Sequence, residues 1–160
     1  MLQKINRNQV FNMFLLITAL TLIIAYALAE QQNKGYWQDY LASEEAVKLL
    51  ASDQNEQAGQ ILEGLVPRHP ESPQISWYYA VCLANIGQYQ KAQDYYDHAL
   101  ELSPDFITNE VFLWRYGENL YHLGKVEEAK QYLEQCSSTS TNPEIKKEAD
   151  QILEKIINGE

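Results

Sequence analysis

The chain has 160 residues, with 22 acidic and 12 basic side chains and a net charge of −10, which is the length of one ordinary domain. Residues 1–29 hold Lys4 and Arg7 and no acid, so the remainder sets all 22 acids against ten cations, net −12, and this excludes a nucleic-acid surface built from clustered cations. A hydrophobic fraction of 46%, with 11 tyrosines and 3 tryptophans, excludes a disordered chain, and two cysteines exclude a disulfide scaffold or a zinc ribbon.

The first element follows a short tail, residues 1–9. From Val10 to Ala29 the chain reads VFNMFLLITALTLIIAYALA, without a charge. About 20 such residues are what a helix needs to cross ~30 Å of hydrocarbon. Lys4 and Arg7 precede this stretch and the acidic remainder follows it, so the positive-inside rule keeps the N-terminus cytoplasmic and everything after Ala29 extracytoplasmic. Residues 10–29 are therefore read as a transmembrane anchor in contact with the bilayer. The alternative is a signal peptide cleaved after Ala29, because Ala27-Leu28-Ala29 has the small-x-small spacing of a cleavage site. Residues 30–36 are expected to form a linker.

Beyond it, a fixed period decides the fold before local propensity does. At an offset of 37, Trp77 meets Trp114, Tyr79 meets Tyr116, Leu83 meets Leu120, Gly87 meets Gly124 and Ala92 meets Ala129. At an offset of 34, Ala46 meets Ala80, Leu49 meets Leu83, Ala58 meets Ala92, Leu62 meets Tyr96 and Pro70 meets Pro104. Three copies result, at about 39–72, 73–109 and 110–143, within a domain spanning 37–158. Each copy holds two runs with apolar and small residues at helical spacing. Gly87 and Gly124 fall where a left-handed residue closes a first helix and starts the return. The longer middle copy places its extra residues in Ser103–Asn109, where Pro104 stops one helix and Thr108 or Asn109 caps the next.

These residues resemble the tetratricopeptide repeat family, whose pattern is W-x2-L-G-x2-Y, then A-x3-F, then P, on a 34-residue helix-turn-helix. The middle copy carries Tyr79-Ala80-x2-Leu83, Gly87, Tyr89, Ala92-x3-Tyr96, Ala99 and Pro104 at the family's spacings. The third carries Tyr116-Gly117-x2-Leu120, Gly124, Ala129-x3-Leu133 and Cys136, with Thr141 for the closing proline. The first keeps Ala46, Leu49, Ala58-x3-Leu62 and Pro70 but has Asp53 for the turn glycine. The expected fold is all-α: a solenoid of about three repeats behind one apolar helix, ended by a capping helix over 143–158. Asn142 caps that helix, Pro143 opens it, and Ile145, Ala149, Ile152, Leu153 and Ile156 form its apolar stripe.

No catalytic or cofactor motif occurs. His69, His98 and His122 stand apart from any second metal ligand, and there is no glycine-rich phosphate loop, G-x-S-x-G or H-E-x-x-H. Cys82 and Cys136 take small packing positions and are read as buried thiols. The chain is thus expected to be neither an enzyme nor a cofactor or metal carrier. The resemblance implies instead that the first helices line a groove, with Tyr40, Ser43 and Val47 from the first copy, Trp77, Val81, Ala84 and Asn85 from the second, and Trp114, Glu118, Tyr121 and His122 from the third. The family's grip on a C-terminal carboxylate maps to Ser43, Val47, Tyr78, Val111 and Arg115, of which only Arg115 is cationic, so no such clamp is expected. Two functions follow. One is a membrane-tethered scaffold that binds a protein or peptide segment outside the cytoplasm and assists assembly of envelope complexes. The other is a secreted protein, cleaved after Ala29, that pairs with a second copy through the apolar edge at Tyr36, Trp37 and Leu41.

Overall fold

The structure, a computed structural model, describes residues 7–159, so the expectations for residues 1–6, Lys4 among them, lie outside it. The described residues form seven α-helices and no strand: α1 (Arg7–Ala51), α2 (Asn55–Leu65), α3 (Pro73–Asn85), α4 (Tyr89–Leu102), α5 (Glu110–His122), α6 (Val126–Thr139) and α7 (Pro143–Asn158). A short 3-10 turn, Pro104–Thr108, lies between α4 and α5. The chain divides into two units, Met1–Leu41 and Ala42–Glu160.

In the first unit, α1 is helical from Arg7 onward, and an 18-residue window of mean hydropathy 2.2 has none of its residues buried. Length and composition suffice to cross a membrane. Thr18 and Thr21 return their hydroxyl protons to the carbonyls of Leu15 and Thr18, at 2.9 and 2.8 Å, and so need no water. Residues 30–36, expected as a linker, are helical instead. Their composition shifts from apolar to polar, but it contains no proline, and Glu30 pairs with Lys34 one turn on at 2.9 Å. A first repeat beginning near residue 39 therefore has no helix start of its own; its first helix is the end of α1.

In the second unit, α3 pairs with α4 and α5 with α6, while α2 packs on α3, α4 on α5 and α6 on α7. The first helices also touch in succession, α3 on α5 and α5 on α7. Close packing rests on small residues: Ala46, Ala58, Ala80, Ala92, Ala99, Ala129 and Ala149 are all fully buried. The turns inside the pairs repeat one geometry. The amides of Gln54, Gln88 and Lys125 bond the carbonyls of Leu49, Leu83 and Leu120 at 2.9, 2.8 and 3.0 Å, each across a left-handed residue. That residue is Gly87 (φ 79°) and Gly124 (φ 72°) in two turns, but Asp53 (φ 58°) in the first. A side chain there opposes the left-handed conformation, so Asp53→Gly is expected to stabilise the second unit by about 0.5–1 kcal/mol. A higher urea midpoint at unchanged slope checks it; a lower midpoint refutes it.

Caps set where the remaining helices start. Ser72 accepts from the Ile75 amide, Asn109 accepts from Val111 and Phe112 at 3.0 Å each, and Asn142 accepts from Glu144 at 3.0 Å. Each such cap contributes about 1 kcal/mol. Glu110, opening α5, accepts from Ser140 Oγ at 2.8 Å and from the Thr141 amide at 2.9 Å, which ties the loop before α7 to α5. The Ser140 hydrogen bond, with the Thr141 and Asn142 amides, holds the Glu110 carboxyl below the usual range. On α7, Ile145, Ala149 and Ile152 are buried and Leu153 and Ile156 pack beside them.

Candidate binding groove

Three successive first helices, α3, α5 and α7, carry the candidate residues of the second unit. Trp77 lies half-buried on α3, stacked on Tyr78 with centroids 5.3 Å apart and facing Phe106 and Phe112 at 5.2 and 5.8 Å. Its partner one repeat later, Trp114, is half-buried on α5 with the Arg115 guanidinium 4.0 Å above its ring. Arg115 Nη1 also donates to Glu118 Oε2 at 3.1 Å. The one cation at a carboxylate-clamp position is therefore engaged within its own helix. Both indole N–H groups are buried without an acceptor.

Two cavities open along this face. The first, about 210 Å³, lies where α3 and α5 meet the start of α4 and is lined by Ala84, Asn85, Tyr89, Glu118, Asn119 and His122. One wall is an aromatic pair, the Tyr89 and His122 rings stacked at 4.4 Å and 12°. The second, about 590 Å³, lies between α5 and α7, with Trp114, Arg115 and Glu118 on one side and Ile145, Lys147 and Glu148 on the other. Glu118 lines both.

The structure thus brings Asn85, Glu118 and His122 together, and joins Trp114 to them through Glu118. Val81 and Tyr121 are half-buried against the core, and neither lines these two cavities. Ser43 and Val47 sit half-buried at the end of α1. Tyr40 belongs to the first unit, where it is exposed and stacked with Trp37 at 5.4 Å. Sequence reasoning missed Tyr89 and Asn119, and it gave α7 the role of a cap only.

Beneath the smaller cavity lies a buried polar chain. Asp97 accepts from Gln93 Nε2 at 2.8 Å and from the Tyr116 hydroxyl at 2.5 Å, and Gln93 Oε1 accepts from Asn119 Nδ2 at 3.2 Å. Burial and the Asp97 carboxylate push the Tyr116 phenol far above its usual range. Cys82 and Cys136 are free and buried, and burial pushes their thiols up to about 12 and about 11, so neither is a thiolate at neutral pH. Among the described residues no three metal-binding side chains converge.

Stacked helix pairs with equivalent turns and a continuous first-helix face define an α-solenoid of the tetratricopeptide repeat type. Residues 73–138 match the family described as YpiA-like, C-terminal tetratricopeptide repeats. No curated protein matches the chain. Among solved structures, the first TPR of Spaghetti (RPAP3), bound to the HSP90 peptide SRMEEVD, is 20% identical with a TM-score of 0.61, covering 76% of this chain and 91% of that one. The Sgt2 TPR domain from Aspergillus fumigatus is 16% identical with a TM-score of 0.61, over 76% and 81% of the two chains. The Yersinia enterocolitica type III secretion chaperone SycD, in complex with a peptide of the translocator YopD, is 21% identical with a TM-score of 0.59, over 76% and 94%. At these identities the likeness shows the fold.

Proposed function

We propose that this protein is a non-catalytic adaptor, held at a membrane by residues 10–29, whose first-helix groove binds a segment of another protein on the extracytoplasmic side and assists assembly of an envelope complex. The observation that carries this reading is the unbroken face of α3, α5 and α7, with half-buried Trp77 and Trp114 and two open cavities along it. Half-buried aromatic rings offer large contact area at low entropic cost. RPAP3 and SycD, which share the fold, were each solved with a peptide bound, and this supports a peptide-sized occupant. An acidic C-terminal peptide such as SRMEEVD does not suit this groove, because Arg115 is already paired and the other clamp positions are uncharged. The extracytoplasmic placement is supported by Arg7 before the apolar run and the acidic chain after it.

The test starts from full-length protein extracted from a bacterial membrane fraction, its intact mass retaining residues 1–29. Wild type and a Trp77→Ala/Trp114→Ala variant are each used to capture chemically crosslinked partners. Selective loss of those partners from the double variant, at an unchanged circular dichroism spectrum, is the expected result. Equal recovery refutes the groove, and a soluble protein lacking residues 1–29 refutes the tether.

A further inference from the structure

We infer that the cavity where α2 meets α3 and the start of α4 is a second binding site, separate from the groove, for a neutral primary amide: the side chain of a glutamine carried by a partner protein. The chain holds its own template for this occupant, because repeats place equivalent residues at successive seams.

At the seam of the second and third repeats the space between α4 and α5 is filled by the amide of Gln93, a residue only 3% exposed. Its Nε2 donates to Asp97 Oδ1 at 2.8 Å and to the Tyr116 hydroxyl at 3.0 Å, and its Oε1 accepts from Asn119 Nδ2 at 3.2 Å. Counted back by the repeat offsets of 34 and 37, the equivalent residues at the seam of the first and second repeats are Gly59, Glu63, Tyr79 and Cys82. A carboxylate and a phenol are kept there. Tyr79 even repeats the edge-on ring contact, meeting Tyr95 at 4.8 Å as Tyr116 meets Tyr132 at 4.6 Å. The glutamine, however, is replaced by glycine, and a cavity of about 360 Å³ lies at that place, lined by all four residues.

The space is open to a side chain, since a Cβ on Gly59 would stand 3.7 Å from Cys82 Cβ, an ordinary contact. Glu56, Glu63 and Lys91 also line it. A carboxylate occupant would face two groups of its own sign, and an ammonium would face Lys91. An amide uses both signs: its N–H groups serve Glu63 and Tyr79, as those of Gln93 serve Asp97 and Tyr116, and its oxygen takes a proton from Lys91 where Asn119 is missing. Ile86, 42% exposed, lines this cavity and an adjoining one of about 330 Å³ beside the Asp53 turn, and so offers an apolar ledge to the segment that delivers the amide.

The test follows the Gly59 backbone amide and the Ile86 methyl resonances in full-length protein in detergent micelles. The probes are N-acetyl-glutamine methylamide, its glutamate counterpart, which exchanges the amide for a charge, and its methionine counterpart, which keeps the length and loses the donors. Saturable shifts with the glutamine probe are expected, with a Kd on the order of 10–100 mM for so small a ligand. The other two are expected to bind about fivefold or more weakly, the worth of roughly one hydrogen bond. Gly59→Gln is expected to abolish the response by supplying the amide from within, and Gly59→Ala to retain it. Equal responses to the three probes, or none to the glutamine probe, overturn the inference in the wild-type protein, whatever the variants do. A folded Gly59→Gln protein that still responds as wild type overturns it as well.

Discussion

Replacing Phe112 by alanine is expected to cost the second unit about 3–5 kcal/mol, the range for truncating a buried aromatic. Phe112 is fully buried at the centre of an aromatic cluster. Its ring stacks on Phe106 at 5.0 Å and 11°, meets Tyr96 edge-on at 5.7 Å, and contacts Trp77 and Tyr116 at 5.8 and 5.5 Å. It joins the middle repeat to the third, so its loss leaves a cavity that helices on both sides must close to fill. Domains of this size are stable by only about 5–15 kcal/mol, so the effect is a large fraction of the whole. Urea unfolding followed by circular dichroism measures it, with the expected fall in midpoint at unchanged slope. Trp77 also loses a wall of its seat, so its fluorescence is expected to shift to the red in the folded state. A loss under 1 kcal/mol would show that Phe112 does not centre this core.

Gly117→Val is expected to cost about 3 kcal/mol, the upper end for forcing extra atoms into a packed interior. Gly117 takes the position held by Ala46 and Ala80 in the earlier repeats, yet here even a Cβ would stand 2.7 Å from Leu133 Cγ and 2.9 Å from its Cδ2. Leu133 is fully buried and cannot swing into solvent. Gly117→Ala is expected to cost less, since alanine regains about 1 kcal/mol of helix propensity. Combining Gly117→Val with Leu133→Ala is expected to cost less than the sum of the single losses, with a coupling of about 0.5–3 kcal/mol. Strict additivity would place the clash elsewhere. Because α5 carries Trp114, Glu118, Asn119 and His122, pushing α5 off α6 displaces these groove residues as well.

Much of the fold was legible because its signals are local and repeated. Gly87 and Gly124 mark turns that need positive φ, Pro104 stops α4, and Asn109 and Asn142 cap the helices that follow; each acts through its own backbone neighbourhood. The offsets of 34 and 37 announce a solenoid because the same small residues must recur wherever helices approach closely. The helical state of residues 30–36 was misread because a change from apolar to polar composition resembles a linker, whereas Glu30, Gln31, Gln32 and Lys34 are ordinary helix formers. The candidate site was half legible. Asn85, Glu118 and His122 fall on repeat positions that can be counted along the chain.

Sequence by itself determined the helical repeats, their turns and the apolar N-terminal helix, since turn chemistry, period and hydropathy are properties of short stretches. Only the tertiary structure decided that Tyr89 stacks on His122, that α7 walls a cavity with Trp114, and that Asn119 holds an unpaired acceptor. The physical reason is that hydrogen-bond direction passes from one group to the next. Asp97 on α4 orients Gln93, Gln93 orients Asn119 on α5, and the outcome exists only once those two helices are docked.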